Sequence, residues 1–139
     1  VSDLLKKKNV TVLTLAAAKA IADAAAAEGV AAGWPAIAVA VVDAGGNLLY
    51  FARHEDCGLG GIRGAIYKAE TALRFSRPTK QLAESGRTHY FAFPHALPVE
   101  GGIPIVVDGA LIGAVGVGGT TTEGSADRCA KAGLTAIGA

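Results

Sequence analysis

Charge is scarce in this chain: Asp, Glu, Lys and Arg make up only 18% of its 139 residues, and the net charge is +1. The basic residues are scattered, so the electrostatic footprint that DNA or RNA binding requires is missing, and neither an RNA-binding sheet signature nor a zinc spacing replaces it. Nucleic acid is therefore not expected as a partner. Cysteine is nearly absent, Cys57 and Cys129 being the only two and lying far apart. That leaves neither a disulfide framework nor a CxxC metal or redox motif, and both residues are read as buried thiols. No run reaches the roughly 18 apolar residues that crossing a bilayer takes, so no membrane partner is expected either. HExxH, GxSxG and GxxxxGK[ST] are all missing, and no other spacing among His54, His89 and His95 suits a metal. The expectation for a metal site is none.

What is abundant is small and apolar. Hydrophobic residues make up 51% of the chain, much of it alanine, and this length suits a single domain, residues 1–139, around one core. So little charge over so much apolar surface points to self-association, a dimer or larger homo-oligomer. Lys6, Lys7 and Lys8 followed by VTVLTLAAAKA imitate a secretory leader, but Lys19 interrupts the pattern. The same stretch reads better as a helix capped by Thr14, with Leu15, Ala18, Ile21, Ala22 and Ala25 on one stripe and Glu28-Gly29 as its stop. The expected compartment is the cytoplasm, with a secreted form whose leader has been removed as the alternative.

Beyond Trp34-Pro35, AIAVAVVDAGGNLLYFAR reads as two strands joined at Ala44-Gly45-Gly46-Asn47, with Gly46 and Asn47 taking positive φ. The segment LGGIRGAIYKAETALRF is a helix whose core stripe is Ile62, Ala65, Ile66, Ala69, Ala72 and Leu73; Gly64, Lys68, Thr71 and Phe75 form a flanking stripe. Arg77-Pro78 ends it, Thr79 caps a short helix through about Ser85, and RTHYFAFPHALP is an aromatic-rich loop. A second hairpin turns at Asp108-Gly109. Its return strand carries Gly113, Gly116, Gly118 and Gly119. Their spacing is not GxGxxG and they stand on an antiparallel strand, so they are read as thinning the strand for a close neighbour rather than cradling phosphate. TEGSADRCAKAGLTAIG closes the chain as a helix ending near Gly138.

The hairpin VAVVDAGGNLLYFAR, the helix AIYKAETALRF, the stretch GGIPIVVDGALIGAVGVGG and the ending CAKAGLTAI, in that order, resemble the GlcG/HbpS family over roughly residues 13 to 137. That family is in turn similar to the C-terminal domain of PduO-type proteins. The resemblance implies an α/β (α+β) fold, an antiparallel profilin-like sheet built from two hairpins and flanked by helices, assembling as a homo-oligomer. It also implies haem or another tetrapyrrole as a possible cofactor. The KAxTA pattern falls on Lys68, Ala69, Glu70, Thr71 and Ala72, which makes Thr71 the residue matched to the family's pocket. The acidic pair that relatives carry near the last helix is only partly present here, in Glu123-Gly124-Ser125-Ala126-Asp127.

Chemistry at these positions supports three readings. In a binding protein, Lys68 meets a carboxylate or propionate, Thr71 gives one hydrogen bond, Phe75 lies against a flat ring, and His89 or His95 offers an iron ligand. In an enzyme acting on a small anionic molecule, Lys68, Thr71 and Glu100 form the catalytic set, with Arg53 or Arg74 as further anchors and Asp43 or Asp127 as further acids and bases. A structural or regulatory oligomer needs no pocket at all. Asp43 and Asp108 precede turns, where aspartate bonds backbone amides, and both are expected to be structural.

Overall fold

In the computed structural model, which describes residues 2–139, the chain runs α1 (Leu15–Ala32), β1 (Ala38–Asp43), β2 (Leu48–Arg53), α2 (Leu59–Phe75), α3 (Thr79–Glu84), β3 (Gly102–Val107), β4 (Ala110–Gly118) and α4 (Ser125–Thr135). A 3-10 turn at Thr88–Ala92 lies in the segment between α3 and β3. The four strands form one antiparallel sheet in the order β2-β1-β4-β3, so two hairpins meet along β1 and β4. This is the expected α+β architecture. No helix among the described residues is long and apolar enough to cross a membrane.

Side-chain size alternates across the central strands and decides which helix packs where. On one face Val39, Val41, Val115 and Val117 meet Ala18, Ile21, Ala22 and Ala25 of α1 and Ala126, Cys129, Ala130 and Leu134 of α4. On the other face Ala38, Ala40 and Ala114 meet Ala65, Ala69 and Ala72 of α2. Successive strand residues point to opposite faces, so the alternation of valine with alanine or glycine gives one thick face and one thin one. The thin face extends into Gly102, Gly116 and Gly118. A Cβ on Gly116 would collide with the Ala65 carbonyl and stand 2.6 Å from Ala69 N, and one on Gly118 would collide with the Gly61 carbonyl. These glycines admit the backbone of α2, as expected of a thinned strand.

Local signals explain most boundaries. Thr14 caps α1 by accepting from Ala17 N at 3.1 Å. Asp108 (φ 49) and Gly109 (φ 76) make the tight turn between Val107 and Ala110. In the first hairpin Asp43 Oδ1 accepts from both Gly45 N (2.9 Å) and Asn47 N (3.0 Å), the structural role expected of it.

Three expectations need correction. Helix α1 does not stop at Glu28-Gly29 but runs on to Ala32 and is capped by Gly33 at φ 86; Gly29 is an internal contact, where a Cβ would stand 2.7 Å from Trp34 O. In the first turn Gly46 has positive φ and Asn47 does not. Thr79 is the first residue of α3 rather than its cap, and its hydroxyl accepts from Gly102 N at 2.9 Å.

The close approach of α2 is directly testable. Gly116→Ala should destabilise the protein by about 1–3 kcal/mol through overpacking. Gly60→Ala adds a Cβ that meets nothing within 4 Å and should be neutral or stabilise by up to about 1 kcal/mol. Urea denaturation of the two variants reads the difference, and equal midpoints would contradict the packing described.

Candidate functional site

Glycine dominates one side of the first turns of α2. Gly58, Gly60, Gly61 and Gly64 line a recess of about 450 Å³ together with Lys68, Leu97, Val99, Gly118, Gly119, Thr120 and Thr121. Gly61, Gly64 and Lys68 follow one another at helical spacing, so a single stripe of α2 supplies a wall without Cβ atoms and, one turn on, a long cationic side chain. The segment from Leu97 to Glu100 forms the opposite strap.

Lys68 is the electrostatic centre of this region. Its side chain is 7% exposed, and Nζ donates to Val117 O at 2.9 Å. Burial holds its pKa below the ordinary lysine value, an effect that the negative charges of Glu100 and Asp127 oppose. Neither carboxylate forms an ion pair with it among the described residues. Both are committed elsewhere: Glu100 Oε1 accepts from Gly124 N at 2.7 Å, and Asp127 Oδ1 accepts from Gly101 N at 2.9 Å. The strap before β3 and the start of α4 thus hold each other through two crossed side chain–backbone bonds. Charge-assisted bonds of this kind fix geometry better than neutral ones.

The expected site residues are placed as follows. Lys68 and Glu100 come together, with Asp127 beside them. Thr71 is fully buried one turn further along α2; its hydroxyl donates to Tyr67 O at 2.6 Å and accepts from Leu97 N at 2.9 Å. It fastens the strap to the helix. Phe75 meets Tyr90 and Phe93 edge to face, with centroids 4.9 and 5.0 Å apart, in an aromatic cluster at the far end of α2. His95 stacks on Tyr67 at 4.7 Å, and His89 lies against Tyr90; both are exposed, and neither lines the recess.

The remaining candidates stand apart. Arg74 donates to Pro94 O at 2.9 Å, a further tie on the strap. Arg53 and His54 border a separate, smaller apolar crevice against α1. His54, Glu55 and Asp56 bring potential ligand atoms within 4.8 Å of one another on a turn whose carboxylates face solvent. Cys57 and Cys129 are buried free thiols, as expected, and desolvation pushes both pKa values up.

The glycine wall of α2 and the bond from Gly101 to Asp127 were not anticipated. The spacing Gly61, Gly64, Lys68 was the available signal for the first. Nothing local announces the second, which joins residues 26 apart in the chain.

Comparison with known proteins adds the family. A model described as "Haem degrading protein HbpS-like" matches residues 13–135. Protein GlcG of Escherichia coli is 38% identical over 113 residues, spanning 79% of this chain and 84% of that one. A double mutant of HbpS from Streptomyces reticuli superposes with a TM-score of 0.89 at 31% identity, covering 100% of this chain and 94% of the other. The PduOC:heme complex superposes at 0.82 with 23% identity, covering 92% of this chain and 96% of the other, a likeness of fold.

Thr71→Val keeps the shape and removes the oxygen that accepts from Leu97 N. A buried amide left without a partner costs about 1–3 kcal/mol. The variant should lose that much stability, and native-state hydrogen exchange should show the Leu97 amide opening faster. Unchanged exchange at Leu97 would show that the strap is held by its other ties.

Proposed function

The chain belongs to the HbpS-like family, and from that footing we propose that it is a small-molecule-binding protein whose ligand carries a carboxylate and is of the haem or tetrapyrrole class. One observation carries the reading: a buried lysine faces an open recess with a backbone carbonyl, and no carboxylate, as its direct partner. Burying a cation with no carboxylate in contact is expensive, and Glu100 and Asp127 offset that cost only from beyond contact distance. An incoming carboxylate relieves that cost at the one place where the protein has left it standing.

The recess suits one edge of a tetrapyrrole. Its volume is in the usual range for small-molecule sites, its glycine wall lets a flat group approach the backbone, and Lys68 is placed to take a propionate. It does not suit the iron. No histidine lines it, and Cys57, whose sulfur lies 2.9 Å from where a Cβ on Gly61 would stand, donates to Gly58 O and is held protonated by desolvation. No residue of the recess is therefore assigned to iron. The chemistry derived for this chain is the binding of the carboxylate.

Titration with haemin should give a saturable change in the Soret band. Lys68→Met should weaken that binding by about 1–3 kcal/mol, the worth of a charge-assisted hydrogen bond, or roughly five- to 150-fold in Kd. Because the ammonium is the form that binds an anion, affinity should fall as pH rises through the lowered pKa of Lys68, earlier than for an ordinary lysine. No saturable change, or equal Kd for parent and variant, would overturn the reading.

A further inference from the structure

We propose that Lys68 is also a nucleophile, whose amine condenses with the carbonyl group of a small oxo acid in the recess to form an imine. The proposal rests on the reading of the recess as a ligand site and adds a covalent step to it.

Three features of the site converge on this chemistry. Lys68 is the one amine among the lining residues, the others being six glycines, Leu97, Val99, Thr120 and Thr121. Its nitrogen is oriented rather than free, since it donates one N–H to Val117 O at 2.9 Å. The walls around it carry few Cβ atoms, so a planar carbonyl can reach the nitrogen face-on, as near-attack geometry requires. Burial adds to this by raising the share of free amine at neutral pH, the usual way a lysine is activated for carbonyl chemistry.

In the reaction the Lys68 nitrogen adds to the carbonyl carbon, the C=O π pair moves to oxygen, and a nitrogen proton passes to that oxygen to give a carbinolamine. A hydronium ion from solvent then protonates the hydroxyl, water leaves as the nitrogen lone pair closes the C=N bond, and the iminium so formed returns its N–H proton to water. The sum is amine plus carbonyl giving imine plus water, with no change of oxidation state. An oxo acid fits because the cationic form of Lys68 draws its carboxylate into the recess, and the carbonyl carbon next to that carboxylate is at hand once the ammonium gives its proton to water and becomes the nucleophile.

The test uses the whole protein with pyruvate and cyanoborohydride at neutral pH, followed by peptide mass mapping. Lys68 should be reductively labelled several-fold faster than exposed Lys19, Lys80 and Lys131, since a lowered pKa gives more free amine. Labelling at Lys68 no faster than at the surface would overturn the proposal. Propionate, which has a carboxylate and no carbonyl, separates the two readings. If it shifts the Lys68 ε-methylene NMR signal while pyruvate is not trapped, the recess binds anions and the nucleophile is refuted alone. If it shifts nothing and pyruvate is not trapped, both fall.

Discussion

Helix α2 rests on β4 and β3 backbone to backbone, and the rest of the molecule is arranged around that contact. Gly102, Gly116 and Gly118 provide it, because a methyl group at any of the three would run into a carbonyl of the helix. Interiors are packed to crystal-like density, so a helix this close leaves room mostly for alanine between itself and the sheet. The larger residues are displaced to the opposite face, where valines meet α1 and α4. The thin face also decides where the recess lies. Toward its N-terminus α2 continues as Gly58, Gly60, Gly61 and Gly64, and with no Cβ on those positions the wall there is bare backbone.

Lys68 is a consequence of the same approach. From the middle of a helix pressed against glycine, its side chain borders the recess and bonds the β4 backbone at Val117 O. The buried charge is kept tolerable by the negative charges of Glu100 and Asp127, which act on it from outside contact distance. Because each carboxylate is tied to the other's segment, the charge balance of the lysine is coupled to the closure of the strap on α4. Thr71 completes this by tying Leu97 to α2.

Much of the fold was legible because its signals are local. Asp108-Gly109 specifies a hairpin from two residues, Thr14 specifies a helix start, and the alternation in the strands needs a window of only a few positions. The GlcG/HbpS resemblance, read over residues 13 to 137, coincides with the family match over residues 13–135. The misreadings share a cause. Gly29 looked like a helix stop because glycine commonly ends helices, yet here it is a contact residue for Trp34 and the true cap is Gly33. Thr79 looked like a cap because threonine often is one, yet its oxygen is claimed by Gly102. In both, a tertiary contact outweighed a sound local preference. Lys68 and Thr71 were visible as one flank of α2, but that one faces a recess while the other is sealed under a strap depends on residues from 97 to 127.

The glycine-rich stretch around β4 shows how one composition can serve two ends. In a phosphate-binding loop, glycines turn amides toward a ligand; on β4 the amides are spent in the sheet, and what the missing side chains admit is a helix. The glycines at the start of α2 line the recess instead, and of these Gly61 also packs against the Gly119 backbone. Site and scaffold are therefore made of the same residue type, distinguished only by what stands opposite each α-carbon. A side chain added at Gly116 displaces the helix, whereas one added at Gly60 meets nothing within 4 Å, so the recess can be altered without disturbing the packing that creates it.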